Sequence, residues 1–172
     1  MNEHQARNFV YRNARPLELA RWKYLFEGGS REEVLTALAS YQNDDGGFGH
    51  ALEPDCWNPD SSPIQTWAAA EILREIGFEE KDHPIIQGIL QYLSSGKDFD
   101  GHTWANTIAT NNDAPHAPWW EYAPDAERSY NPTASLITFI LKYAEPESKF
   151  FALACSLAVE AYHYFKAHFP ME

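Results

Sequence analysis

The stretch Tyr41–Gly49, "YQNDDGGFG", crowds two acids, three glycines, a glutamine and two aromatic residues together. An apolar helical pattern runs into it: Val34, Leu35, Leu38 and Tyr41 share one face at the helical period. A second pattern leaves it in "SSPIQTWAAAEILREIG", where Ser62 is a natural N-cap, Pro63 suits the first turn and Gly77 closes the helix. The glycines tolerate positive φ angles, so the chain can turn sharply between the two. Gln42, at the end of the incoming helix, can satisfy backbone groups left unpaired there. Phe48 supplies an apolar anchor beneath the loop. The stretch is therefore a joint between helices, with Asp44 and Asp45 either solvated or capping a turn.

The rest of the chain follows the same plan, alternating helical patterns with Gly/Pro/Asp-rich loops and containing no convincing strand. A first helix is expected over much of Glu3–Glu27, with a break or restart at Pro16 and an end at Gly28-Gly29. Ser30 and Glu33 have the spacing of a capping box for the next. A fourth helix runs from about His83 to Leu93, with Ile85, Ile86, Ile89, Leu90 and Leu93 on its apolar face. "NPTASLITFILKYA" repeats the polar-then-proline start, and the last helix carries Phe150, Leu153, Leu157, Ala161 and Phe165 on one stripe.

Two segments superpose. Asp45-Gly46 falls on Asp100-Gly101 at an offset of 55, and Pro63 falls on Pro132 at an offset of 69. The additional residues sit around "ATNNDAPHAPWWEYAPD" in the second loop. One domain, residues 1–172, is expected, with repeat units at about 31–77 and 85–144. A third unit begins near 148 and stops before its own joint. Repetition of a helical hairpin implies stacked units that bury a shared core.

Composition narrows the function classes. With 25 acidic against 13 basic side chains, a formal charge of -12 disfavours nucleic acid and anionic membrane surfaces as partners. No apolar run approaches a bilayer span, and "MNEHQARNFVYRNARP" contains no apolar segment of the signal-peptide type, which points to the cytoplasm. Two cysteines, Cys56 and Cys155, make no disulfide framework.

An apolar helix ending in glutamine, then an acid, Gly-Gly-Phe-Gly, a loop and a second helix resembles the repeat of the prenyltransferase and squalene-cyclase (terpenoid-cyclase) superfamily. Here the resembling residues are Leu38, Gln42, Asp45, Gly46, Gly47 and Phe48, followed by Pro63 and Trp67. A weaker copy comprises Leu93, Asp100, Gly101 and Trp104, followed by Pro132. The resemblance covers most of residues 31–148 and implies an all-α fold, an α/α-toroid of helical hairpins around a central cavity. This chain would supply about six helices, an incomplete ring that a second copy could close as a homo-oligomer. The implied function is prenyltransferase- or terpenoid-cyclase-like, with a small-molecule ligand in the cavity.

Protein prenyltransferases of this superfamily bind zinc through an Asp, a Cys two residues later and a distant His. The similar "EPDCW" nominates Asp55 and Cys56 as metal ligands, with His50, His102 or His116 as the imidazole, although Asp55 and Cys56 are adjacent here. The Asp-x-Asp-Asp of squalene-type cyclases and the Asp-Asp-x-x-Asp of class I terpene synthases do not occur. No Gly-rich phosphate loop with Lys and Ser/Thr occurs either.

The loop "NNDAPHAPWWEY" gathers Asp113, His116, Trp119, Trp120, Glu121 and Tyr122. There His116 and Glu121 suit acid/base work together with Asp55. Trp119, Trp120, Trp57 and Glu53 suit ligand contact, either flooring an apolar pocket or stacking on a sugar ring. Two alternatives stand beside the prenyltransferase-like reading. One is a carbohydrate-active or sugar-binding toroid using the Trp119/Trp120 loop; the other is a non-enzymatic interaction scaffold.

Overall fold

The computed structural model describes residues 2–126 and 129–169. Its elements are seven α-helices: α1 (Glu3–Asn13), α2 (Pro16–Phe26), α3 (Arg31–Ala39), α4 (Pro63–Glu75), α5 (Pro84–Ser94), α6 (Thr133–Tyr143) and α7 (Lys149–His168). Among the described residues there are isolated β-bridges but no strand, so the fold is all-α. The restart expected at Pro16 divides residues 3–26 into two helices, because Pro16 opens α2 at the position where its missing N–H costs nothing.

Caps follow local chemistry. Ser30, Ser62 and Ser148 each accept a backbone N–H of the first turn, starting α3, α4 and α7. The reciprocal capping box lies at Asn2 and Gln5 of α1.

Helices α2, α4 and α6 form a row. Arg21 Nε donates to Glu75 Oε2 at 2.7 Å and Tyr24 Oη to the Ile76 carbonyl at 3.1 Å, tying α2 to α4. Ser135 Oγ donates to Glu71 Oε1 at 2.5 Å, tying α4 to α6. Helix α3 packs on α2, while α7 and α5 pack on α6. Leu17, Leu38, Phe48, Leu73, Ile86 and Ile140 belong to the one apolar core between them.

The stripe expected on α7 is displaced. Ala154, Leu157 and Ala161 are buried, whereas Leu153 and Phe165 are 37% and 40% exposed. Helix α6 is the main neighbour of α7, so a narrow face of mostly small residues is enough to seat it.

Helix α1 buries no residue. Its anchor is Glu27, which accepts from Tyr11 Oη at 2.6 Å and Arg7 Nε at 2.8 Å on α1, and from Trp22 Nε1 at 2.9 Å on α2. The Tyr11 and Trp22 hydrogen bonds, then Arg7, lower this carboxyl to about 2.

The joint at Tyr41–Gly49 is built as its residue types suggest. Gln42 Nε2 donates to the Gly46 carbonyl at 2.9 Å and reaches the Ile85 carbonyl of α5 at 3.3 Å. Asp45 Oδ1 accepts from Gly47 N at 3.0 Å and Ser61 Oγ at 2.6 Å, so this acid holds the turn. Phe48 is fully buried, and its N–H donates to Thr66 Oγ1 of α4 at 3.1 Å.

The second joint uses the same bonds. Asp100 Oδ1 accepts from His102 N and Thr103 N, Gly101 takes φ 101°, and the Trp104 N–H donates to Thr133 Oγ1 of α6 at 2.8 Å. The match by proline is inexact. Thr133 follows Pro132 directly, whereas Thr66 lies three residues beyond Pro63. Pro132 itself is the N-cap of α6, without the side-chain bond that Ser62 gives α4.

Candidate functional site

The two long loops that follow the joints clasp each other. Cys56 and His116 form an antiparallel bridge, with Trp57 N donating to the Pro115 carbonyl at 2.9 Å and Ala117 N to the Asp55 carbonyl at 2.8 Å. Beneath them Asn58 and Asn111, both buried, share a 2.9 Å side-chain hydrogen bond. Asn111 Nδ2 also donates to the Trp120 carbonyl. Buried Gln65, from the first turn of α4, accepts from Leu52 N at 2.8 Å and donates to the Asn58 carbonyl at 3.1 Å. These amides pair both of their polar ends, which makes their burial tolerable and fixes the loops on the α4 N-terminus.

Within this clasp lie most of the residues singled out in the sequence. Asp55 Oδ1 accepts from Trp120 Nε1 at 2.7 Å, so these two side chains hold each other and bridge the loops. His116 Nδ1 lies 2.7 Å from the Ala114 carbonyl, a geometry in which that nitrogen carries the proton and donates. Glu121 is exposed, and no side-chain hydrogen bond joins it to His116 among the described residues. Cys56 is fully buried, and burial pushes its thiol pKa up, away from the thiolate a metal or nucleophilic role needs. Among the described residues no three His, Cys, Asp or Glu side chains come together to hold a metal ion. His102 instead lies 2.9 Å from Glu160 of α7, and His50 2.8 Å from Asn43. Trp57 and Trp119 remain open, at 63% and 67% exposure, with Trp57 Nε1 fixed on the Pro54 carbonyl.

Beside the clasp, between α2 and α4, runs a groove of about 590 Å³. Glu53, Leu52 and Pro54 form its loop end, and Trp67, Ala68 and Ile72 of α4 give it an apolar strip. Arg15, Glu18 and Arg21 line it from α2, and Glu71, Arg74 and Glu75 from α4. The charges are mostly paired within the wall: Arg15 with Glu18, Arg21 with Glu75, Arg74 with Glu71. Arg15 also donates to the Ala51 and Leu52 carbonyls, which fixes the loop where His50 and Ala51 take the left-handed region at φ 56° and 62°. Such angles cost a non-glycine residue about 1 kcal/mol or more each, so the surroundings hold this loop deliberately.

Two carboxyls in this groove are driven in opposite directions. Glu53, half-buried, is pushed up first by loss of hydration and then by Asp55, with Arg15 pulling back weakly. Glu71 is held below its ordinary value because the Ser135 hydroxyl and Arg74 outweigh its burial.

Of the residues singled out in the sequence as ligand contacts, Glu53 lines this groove. The sequence reading did not put Arg21, Trp67 or Glu71 there, each a polar or aromatic residue on a helix, nor Arg15 just ahead of α2. It also missed Asn58, Gln65 and Asn111, since nothing local distinguishes a buried, paired amide from a solvated one. Compared with known proteins, the chain matches no family model, no curated protein and no solved structure.

Proposed function

We propose that the chain is a helical-repeat protein of the prenyltransferase and terpenoid-cyclase kind, with the groove between α2 and α4 as its ligand-binding surface. The duplicated joint is the supporting observation: Phe48 on Thr66 and Trp104 on Thr133 deliver α4 and α6 side by side by one and the same bond. Helices set in a row by a repeated joint are the elementary unit of an α/α-toroid, and α2 extends that row through Arg21–Glu75. The inward wall then carries an apolar strip of Trp67, Ala68 and Ile72 beside Arg15 and Arg21. An apolar chain such as an isoprenoid suits the strip, and an anionic diphosphate head would have to displace Glu18 or Glu75 from the arginine it holds. Exposed Phe9 and Phe26 near one end of the row, and Val159, Tyr162 and Phe169 near the other, favour a second copy as the completing partner. Among the described residues no helix is long and apolar enough to cross a membrane.

Titration of intrinsic tryptophan fluorescence with farnesyl diphosphate and with farnesol tests this reading. Saturable quenching that Trp67→Ala removes is the expected result. A flat response to both isoprenoids would sink it.

A sugar-binding or carbohydrate-active reading has one observation of its own. Glu53, driven up, and Glu71, driven down, line one groove, and acid/base chemistry on a glycosidic bond uses two carboxyls in such contrasting states. Saturable binding of a neutral oligosaccharide, with none of farnesyl diphosphate, would favour it.

A further inference from the structure

The groove's carboxylates differ in one respect. Glu18, Glu71 and Glu75 each hold an arginine of the groove wall. Glu53 lines the same groove, and among the described residues its carboxylate has no hydrogen-bond or ion-pair partner. The nearest cation cannot be recruited: the Arg15 guanidinium is occupied by Glu18 and by the Ala51 and Leu52 carbonyls. The wall is therefore a set of carboxylate–cation pairs, and the Glu53 carboxylate stands outside them at the loop end of the groove, beside Pro54.

We propose that Glu53 is the binding group for an organic cation, a ligand bearing a protonated amine with an apolar stem laid along Trp67, Ala68 and Ile72. A half-buried carboxylate without a partner carries an unrecovered hydration cost, and a ligand ammonium relieves it by a charge-assisted hydrogen bond. A metal ion is a poorer match, because among the described residues no three His, Cys, Asp or Glu side chains gather to hold one. A free anion is excluded from Glu53 itself by like charge, which Asp55 reinforces. The inference rests on the groove being a binding surface, and it goes beyond the isoprenoid reading by naming a second chemical group that the surface recognises.

The linkage has a sign. Burial raises the carboxyl of free Glu53, so near its pKa part of the protein is protonated. Pairing with an ammonium requires the ionised form, so binding there releases a proton, and affinity falls as the pH drops below that value.

Calorimetric titration of the whole chain with hexylammonium chloride and, separately, with 1-hexanol tests this. Runs at a series of pH values above 4.5, each in two buffers of different ionisation enthalpy, read the proton released. Hexylammonium is expected to bind at least tenfold more tightly than hexanol, with Glu53→Gln abolishing that preference and the proton release while Glu53→Asp keeps part of both. Equal affinity for the two probes, or an unchanged preference in Glu53→Gln, overturns the proposal. Farnesyl diphosphate binding to the parent chain together with equal affinity for the two probes leaves the isoprenoid reading standing while the cation site fails, so the two failures are distinguishable.

Discussion

Gly46 and Gly88 meet backbone to backbone: a Cβ on Gly46 would overlap the Gly88 carbonyl, and Gly46 itself takes φ 88°. This contact lets the first joint lie directly on α5, where Gln42 reaches the Ile85 carbonyl. Gly46→Ala adds both a left-handed penalty and a backbone overlap, and is expected to cost about 3 kcal/mol or more. Gly96, at φ 73° with nothing within reach of a Cβ, is the control. Gly96→Ala should cost only about 1–2 kcal/mol. Urea denaturation of the two variants checks the difference, and equal midpoints would contradict it.

Thr66 and Thr133 are fully buried, and each accepts the N–H of the aromatic residue at its joint. Replacing either by valine preserves shape and strands a buried amide, at a cost of about 1–3 kcal/mol. The two losses should be alike if the joints are equivalent. A negligible change at Thr133 would mean that the second joint is held by other means.

Helix α1 depends on Glu27 rather than on burial. Glu27→Ala should expose residues 3–13 to protease and to rapid amide exchange while α2 to α7 stay protected. The pH dependence has a definite direction. The folded carboxyl, near 2, lies below its ordinary 4.5, so its contribution is complete above pH about 4.5 and is lost as the pH falls toward 2. Amide exchange of α1 across that window reads it directly.

For Glu53 the sign is opposite. A carboxyl raised on folding binds more protons in the native state than in the unfolded chain. Stability therefore falls as the pH rises from the unfolded value near 4.5 through the folded one. Glu53→Gln is expected to be more stable than the parent at pH 7, with the gap closing below pH about 4.5. Thermal unfolding at both pH values measures this. It also separates any loss of ligand binding in Glu53→Gln from a loss of fold.

Helices and joints were legible along the chain because their causes are local. Ser62 before Pro63 starts α4 whatever lies elsewhere, and Asp-Gly at 45–46 and 100–101 makes a turn from its own backbone freedom. The all-α architecture follows from such signals. The break at Pro16 was read as an interruption, yet whether the two halves run on or fold back depends on Glu27 gathering Tyr11, Arg7 and Trp22.

The site was a matter for the tertiary structure. Whether Asp55 meets a ligand or an indole turns on Trp120, 65 positions along the chain. The amide pair Asn58–Asn111 spans 53 positions, and the ion pair Arg21–Glu75 spans 54. Interactions at such separations exist only once the helices are packed. Hydrogen bonds and charge pairs act over a few ångströms, and no local pattern records which distant partner will arrive. The sequence by itself determined the helices and the joints that repeat them. Packing alone decided which carboxylates were neutralised and left that of Glu53 unpaired among the described residues.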